Sequence, residues 1–221
     1  DLAGIDADES ARIATEALRC AMPHVHEWTV TNDAALLCAS VPRNRPCVVC
    51  IAGTGSVVLA YDAQRTRTKR VGGLGWLLGD EGSAVGVGRA ALRHVLSEPS
   101  PLLDVILAAT GAATADDLLS YVYTDDSRTR IAALAQVVTR AAHDGHAVAQ
   151  HIVELEAQAM AACIDRAAPP IPAACRLGGA LFGDAAYLAR VLHHVQTPFI
   201  DIQVVHDICG AAAQSKAIRP W

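Results

Sequence analysis

The stretch CIAGTGSVVLAYDAQRTRTKRVGGLGWLLGDEGSA, from Cys50 to Ala84, joins a Gly-Thr-Gly-Ser turn, a glycine cluster and an acidic Gly-Asp-Glu-Gly corner. Glycines at that density let a backbone turn sharply and let a ligand approach with no Cβ in the way. The short polar side chains beside them point to a phosphate or sugar cradle. Cys47 to Ala52 is an unbroken apolar run, and Ser56 to Tyr61 is a second one beyond the turn, so the two read as a β-hairpin. A hairpin turn alone does not require the hydroxyls of Thr54 and Ser56, whereas a phosphate nest uses them. After a polar turn over 62–68, Lys69 to Val71 predicts a third strand leading into Gly72-Gly73-Leu74-Gly75-Trp76. The corner Gly79 to Ser83 then opens a helix over 84–97, with Ser83 or Asp80 as its cap. Two adjacent carboxylates between glycines exceed what capping needs.

Working upstream, Ile13, Ala14, Ala17, Leu18 and Ala21 share one face of an amphipathic helix over 7–21, which Pro23 ends. His26 to Val30 alternates as a short strand and stops at Thr31-Asn32-Asp33, just before an apolar helical run over 34–40. Ligand chemistry in open α/β sheets concentrates at strand ends, which makes Asp33 a candidate. Spacing alone favours Asn32 or Asp33 as a helix cap. Val41 to Pro46, VPRNRP, is a turn-rich connector and a candidate domain boundary.

Downstream of Pro101 the chain turns mostly helical. Helices are expected over 102–109, from Thr114, over 127–143 and over 146–167, the last two broken at Asp144-Gly145. His143, His146 and His151 lie near that break with no ligand partner at matching spacing, and read as surface residues. Ala173 to Leu177 predicts a strand ending at the corner Gly178-Gly179, followed by a helix over 184–195, a strand near 200–205 and a closing helix over 209–218.

The 221 residues allow one large domain or two small ones, each with a core. Hydrophobic content of 52% and mean hydropathy of +0.27 owe much to alanine, which suits packed helices. No apolar run approaches bilayer length and none at the start resembles a signal peptide, so the expected location is the cytoplasm. A net charge of −5 leaves no nucleic-acid footprint, and Arg65, Arg67, Lys69 and Arg70 read as a solvated hairpin face. Seven cysteines, scattered and often in apolar segments, read as reduced thiols. Cys47 and Cys50 have CxxC spacing, but their valine neighbours suggest a strand interior, and no second pair completes a zinc site. The chain opens on Asp1 rather than Met, which suggests that a preceding piece is missing.

Asp33, the GTGS turn, Gly-Gly-x-Gly, Leu-Gly-Asp-Glu-Gly-Ser-Ala and the late Gly-Gly occur in this order. With them the chain resembles the N-acetylglucosamine kinase and BadF/BadG-type ATPase family, from about Leu2 through at least Leu188. LGDEGSA after GGLGW is the specific signal, while GTGS alone is weak. The resemblance implies an α/β, ribonuclease-H-like (actin-like ATPase) two-domain fold with a nucleotide and substrate cleft between the domains, the first domain incomplete here. Residues 1–45 would be the remainder of the N-terminal ATPase domain, with a C-terminal helix at about 206–221 packing back on it. Residues 46–205 would be the second ATPase domain with a helical insertion.

The activity so implied is ATP-dependent phosphorylation of an amino sugar of the glucosamine or N-acetylglucosamine class, with ATP and Mg²⁺ as cofactors. Asp33 matches the general base that accepts the proton of the attacking hydroxyl. Gly53, Thr54 and Gly55 match the second phosphate loop, and Gly178 and Gly179 the adenosine-side corner. Asn32, Asp33, Ser56, Gly73, Leu74, Gly75, Trp76 and Asp80 match the sugar pocket. No residue is matched to a metal. The partners implied are ATP and a small sugar, with room for a homodimer and none for nucleic acid or membrane.

Two departures from the family pattern stand out. No Asp-x-Gly-Gly-Thr motif, the first phosphate loop of relatives, occurs here. Val57 follows the GTGS turn where N-acetylglucosamine kinases carry a sugar-contacting asparagine, which leaves glucosamine or another hexose open. Two other readings compete. An activator-type ATPase carries an iron–sulfur ligand three residues before its GTG turn, where Cys50 stands, but no cysteine follows before Cys163. An inactive sugar- or nucleotide-binding remnant is the non-enzyme alternative.

Overall fold

The structure, a computed structural model, describes residues 7–25, 32–208 and 210. The strand expected at 26–30 lies outside the described residues, as does the closing helix expected at 209–218 except for Gly210. The first helices are α1 (Ala7–Ala21) and α2 (Asp33–Ala39). Next come β1 (Cys47–Ala52), β2 (Ser56–Tyr61) and β3 (Arg67–Gly72). Five helices follow: α3 (Ala84–Ser97), α4 (Leu102–Thr110), α5 (Ala115–Val122), α6 (Ser127–His143) and α7 (Ala147–Ala167). β4 (Ala174–Gly178), a 3-10 turn (Ala180–Gly183), α8 (Ala185–His194) and β5 (Asp201–Val204) complete the order.

The strands form one sheet in the order β3-β2-β1-β4-β5. β1, β2 and β3 are a meander of antiparallel pairs, with Ala52 opposite Ser56 across the GTGS turn. β4 runs parallel to β1, and β5 parallel to β4. β1 is continuously apolar because both its faces are covered. Val48, Cys50 and Ala52 join Val58, Ala60, Cys175 and Leu177 in the main core, with residues of α3, α6 and α7. Cys47 and Val49 face the other way, onto Ala34, Leu37 and Cys38 of α2. The odd spacing of the CxxC pair therefore sends its thiols to opposite faces. Cys47 Sγ lies 3.2 Å from Cys38 Sγ, and Cys50 Sγ 3.2 Å from Met160 Sδ.

α3 and α6 cross where Gly88 meets the Ile131 carbonyl, an approach that would put any Cβ on the α6 backbone. Caps follow the sequence. The Ser83 hydroxyl accepts from Gly86 N–H at the head of α3, Asn32 accepts from Ala35 N–H at the head of α2, and Thr114 with Asp117 forms a capping box at α5.

Two expectations are corrected here. Arg65 is not part of a solvated face: it is 8% exposed, and its guanidinium donates to the carbonyls of Val41, Pro42 and Arg45. The cause is local. Asp62 Oδ1 accepts from the N–H groups of Gln64 and Thr66, and Arg65 takes a φ of +71° in that tight turn, which brings its side chain to the 41–46 connector. His146 is likewise not a surface residue, since both ring nitrogens are shielded where α7 begins against the end of α6. His143 and His151 are exposed, as expected.

Candidate active site

The GTGS turn and the head of α3 are bonded into one unit. Ala84 N–H donates to the Gly53 carbonyl at 2.9 Å, Val85 N–H to that of Thr54 at 3.1 Å, and Gly53 N–H to that of Gly55 at 3.0 Å. Ser56 Oγ donates to the Glu81 carbonyl at 2.7 Å, which ties the turn to the acidic corner. The Asp80 carboxylate packs so closely on Gly55 that a Cβ there would lie 2.5 Å from Oδ2. A side chain at 55 would have to displace the Asp80 carboxylate.

Around this unit lie two cavities. One, of about 530 Å³, is lined by Asn32 and Asp33 from α2, residues 53–57, Gly73, Gly75 and Asp80. Ala34, Ile51, Leu59, Arg67, Arg70 and Arg128 complete it. Arg67 reaches this face because the register slips by one residue at Ala60/Tyr61, which sets Arg67 opposite Tyr61 while Arg70 stays opposite Leu59. Arg70 also donates through Nε to the Gly72 carbonyl and through Nη2 to that of Gly73, pinning the glycine wall.

The second cavity, of about 650 Å³, lies on the other side of the turn. Gly53 and Thr54 line both. Its remaining wall is Ala84, the α6 face from Thr129 to Thr139, and Ala180, Leu181 and Asp184 after β4. Asp184 caps α8 by accepting from the N–H groups of Ala186 and Tyr187, with His143 Nε2 at 3.0 Å. Burial alone would raise its carboxyl; those N–H groups and His143 hold it below the ordinary value.

The structure thus brings together Asn32, Asp33, Gly53, Thr54, Gly55, Ser56, Gly73, Gly75 and Asp80. Leu74 and Trp76 do not line the cleft. Leu74 is 64% exposed, while Trp76 packs on the core and its carbonyl accepts from Arg89. Gly178 and Gly179 lie beside the second cavity's wall, and their lack of a side chain has a packing cause. A Cβ on Gly178 would strike Leu37, and one on Gly179, at φ +109°, would strike the Ala52 backbone.

Among the lining residues that sequence reasoning missed are the arginines 67, 70 and 128 and the α6 wall. The position of Arg67 depends on a strand slip, and those of Arg128 and the α6 wall on a helix remote in sequence, neither of which leaves a local signal. Among the described residues no group of three or more His, Cys, Asp or Glu could hold a metal ion. Nor is any helix among the described residues long and apolar enough to cross a membrane.

The pattern of the BadF/BadG/BcrA/BcrD ATPase family matches residues 3–210. An N-acetylmuramic acid/N-acetylglucosamine kinase of Clostridium acetobutylicum is 30% identical over 159 residues, 69% of this chain and 51% of that protein. An N-acetyl-D-glucosamine kinase of Dictyostelium discoideum is 28% identical over 129 residues, 55% of this chain and 40% of that one. The chain thus spans about half the length of the relatives it matches. A solved structure from Porphyromonas gingivalis, described as a candidate N-acetylglucosamine kinase, superposes with a TM-score of 0.74 at 22% identity, over 89% of this chain and 70% of that one. A ROK family glucokinase from Streptomyces griseus, solved with glucose and AMPPNP, superposes with a TM-score of 0.56 at 16% identity, over 80% and 62%. The sheet is therefore that of the ribonuclease-H-like, actin-like ATPase fold.

Proposed function

This chain belongs to the BadF/BadG/BcrA/BcrD ATPase family, and on that footing we propose that it serves an ATP-dependent sugar kinase. The acceptor is a hydroxyl of an amino sugar of the glucosamine or N-acetylglucosamine class, and Asp33 is the general base. The observation that carries this reading is the shared wall at Gly53 and Thr54, which gives one turn a face in each of two cavities. Phosphoryl transfer needs an acceptor and a nucleotide to meet in line, and such a turn is where they would meet.

In this reading the sugar occupies the cavity lined by Asp33, Asp80, Ser56 and the glycine wall. Asp33 takes the proton of the attacking hydroxyl as the phosphoryl group moves. The adenosine lies toward the α6 face and Ala180 to Asp184, with its phosphates at the turn. Mg²⁺ enters with ATP as part of the substrate. The names of the relatives support an amino-sugar acceptor.

The test is ADP release by the natural full-length protein with Mg-ATP against glucosamine, N-acetylglucosamine and glucose. Faster release with an amino sugar than with glucose is expected. Release that ignores every sugar overturns the reading.

A further inference from the structure

The acidic corner carries Asp80 into the cleft, and side chains from two distant helices hold its Gly82. Glu156 Oε2, on α7, accepts from Gly82 N–H at 2.6 Å, and the Tyr187 hydroxyl, on α8, donates to the Gly82 carbonyl at 2.6 Å. Tyr187 is fully buried, its ring 6.0 Å from that of Phe182. Gly82 has a φ of +69°, and a Cβ there would stand 2.6 Å from Met160 Cβ, so the residue is enclosed as well as tied.

Asp80, two residues earlier, is 3% exposed and also left-handed, at φ +63°. Aspartate adopts that conformation more readily than most side chains, but it is still uncommon and is stabilised where neighbours bond the turn. The Asp80 carbonyl accepts from Ser83 Oγ and N–H, and the carbonyls of Trp76 and Gly79 accept from Arg89. These bonds fix the two ends of the corner to α3, and the Gly82 bonds fix its middle to α7 and α8. A buried carboxylate is costly without hydrogen-bond donors, and the Gly82 N–H is the donor that Glu156 has there.

We propose that Tyr187 and Glu156 are positioning residues for the sugar side of this site: by gripping Gly82 on both sides they hold Asp80 in the left-handed turn that sets its carboxylate in the cleft. This inference rests on the amino-sugar reading of the cleft given above. Neither residue touches the cleft itself, and each acts through Gly82.

Tyr187→Phe keeps the ring in its core seat and removes only the donor. In the natural full-length protein the KM for the amino sugar is expected to rise about five- to tenfold, with the KM for ATP within about twofold of wild type. Amide exchange of residues 80–84, read by mass spectrometry, is expected to quicken about tenfold. Glu156→Gln retains an acceptor for Gly82 N–H and is expected to keep the wild-type sugar KM, whereas Glu156→Met, which has none, is expected to raise it. Unchanged exchange in Tyr187→Phe overturns the proposal. So does faster exchange with an unchanged sugar KM, or an equal rise in both KM values. If the wild-type protein releases no ADP with any sugar, the kinase reading fails, and exchange alone decides the clamp.

Discussion

Nη1 of Arg65 stands 3.6 Å from Sγ of Cys47, whose other neighbour is Sγ of Cys38 at 3.2 Å. The contact with Cys38 and the nearby guanidinium lower the Cys47 thiol from its ordinary 9.0 against the opposing effect of burial, and Cys38 is pushed up. The same guanidinium holds the connector between α2 and β1 by the carbonyls of Val41, Pro42 and Arg45.

Arg65→Met should therefore destabilise the fold by about 2–4 kcal/mol, because it strands buried carbonyls as well as removing the charge. Arg67→Met, on an exposed neighbour, should stay within about 0.5 kcal/mol. Urea unfolding midpoints of the two variants check the contrast.

Asp33→Asn should lower turnover about 10²- to 10⁴-fold, with the sugar KM within about threefold of wild type. Asparagine keeps the size and the polar contacts of the side chain but accepts no proton from the hydroxyl. Steady-state ADP release at varied sugar concentration is the measurement, and near-wild-type turnover would remove Asp33 from the role of base.

Two glycine substitutions should destabilise for different reasons. Gly88→Ala ought to gain about 1 kcal/mol of helix propensity, yet its Cβ would strike the Ile131 carbonyl where α3 and α6 cross. The net loss should reach about 2 kcal/mol or more. Gly179→Ala adds a φ of +109° to a clash with the Ala52 backbone, and should cost at least as much. Thermal unfolding of both variants tests this, and a stabilised Gly88→Ala would contradict the close crossing.

Glu156 supplies a pH prediction. Burial, only partly offset by the Gly82 N–H, raises its carboxyl above the ordinary 4.5. An acid raised in the folded state favours folding while protonated. Its contribution is full below 4.5 and is lost as the pH climbs through the folded value. Glu156→Gln should therefore match or exceed wild type in stability at neutral pH, and lose that advantage below the carboxylate range. Denaturant unfolding on either side of that range measures it, and parallel curves at all pH values would argue against a raised carboxyl.

Much of the fold was legible in the chain. The apolar runs at 47–52 and 56–61 meet at a turn of fixed length, so both strands fall where periodicity puts them. Ser83 opens α3 and Gly111 closes α4, because capping is a contact between residues a few positions apart. Arg65 misled for the converse reason. Charge density along a hairpin predicts exposure, but a left-handed turn residue sent this one side chain under the connector.

The sequence by itself determined the order of elements, the glycine turn, the acidic corner and the family they mark, since each is written in adjacent residues. Only the tertiary structure decided which of these share a wall. Parallel pairing of β1 with β4 joins residues more than a hundred positions apart and places Gly179 against Ala52. The register slip in β3 sets Arg67 on the cavity that Asp33 also lines, and the packing of α7 and α8 brings Glu156 and Tyr187 onto Gly82. Such contacts come from burying faces against one another across the whole chain, and no local pattern encodes them.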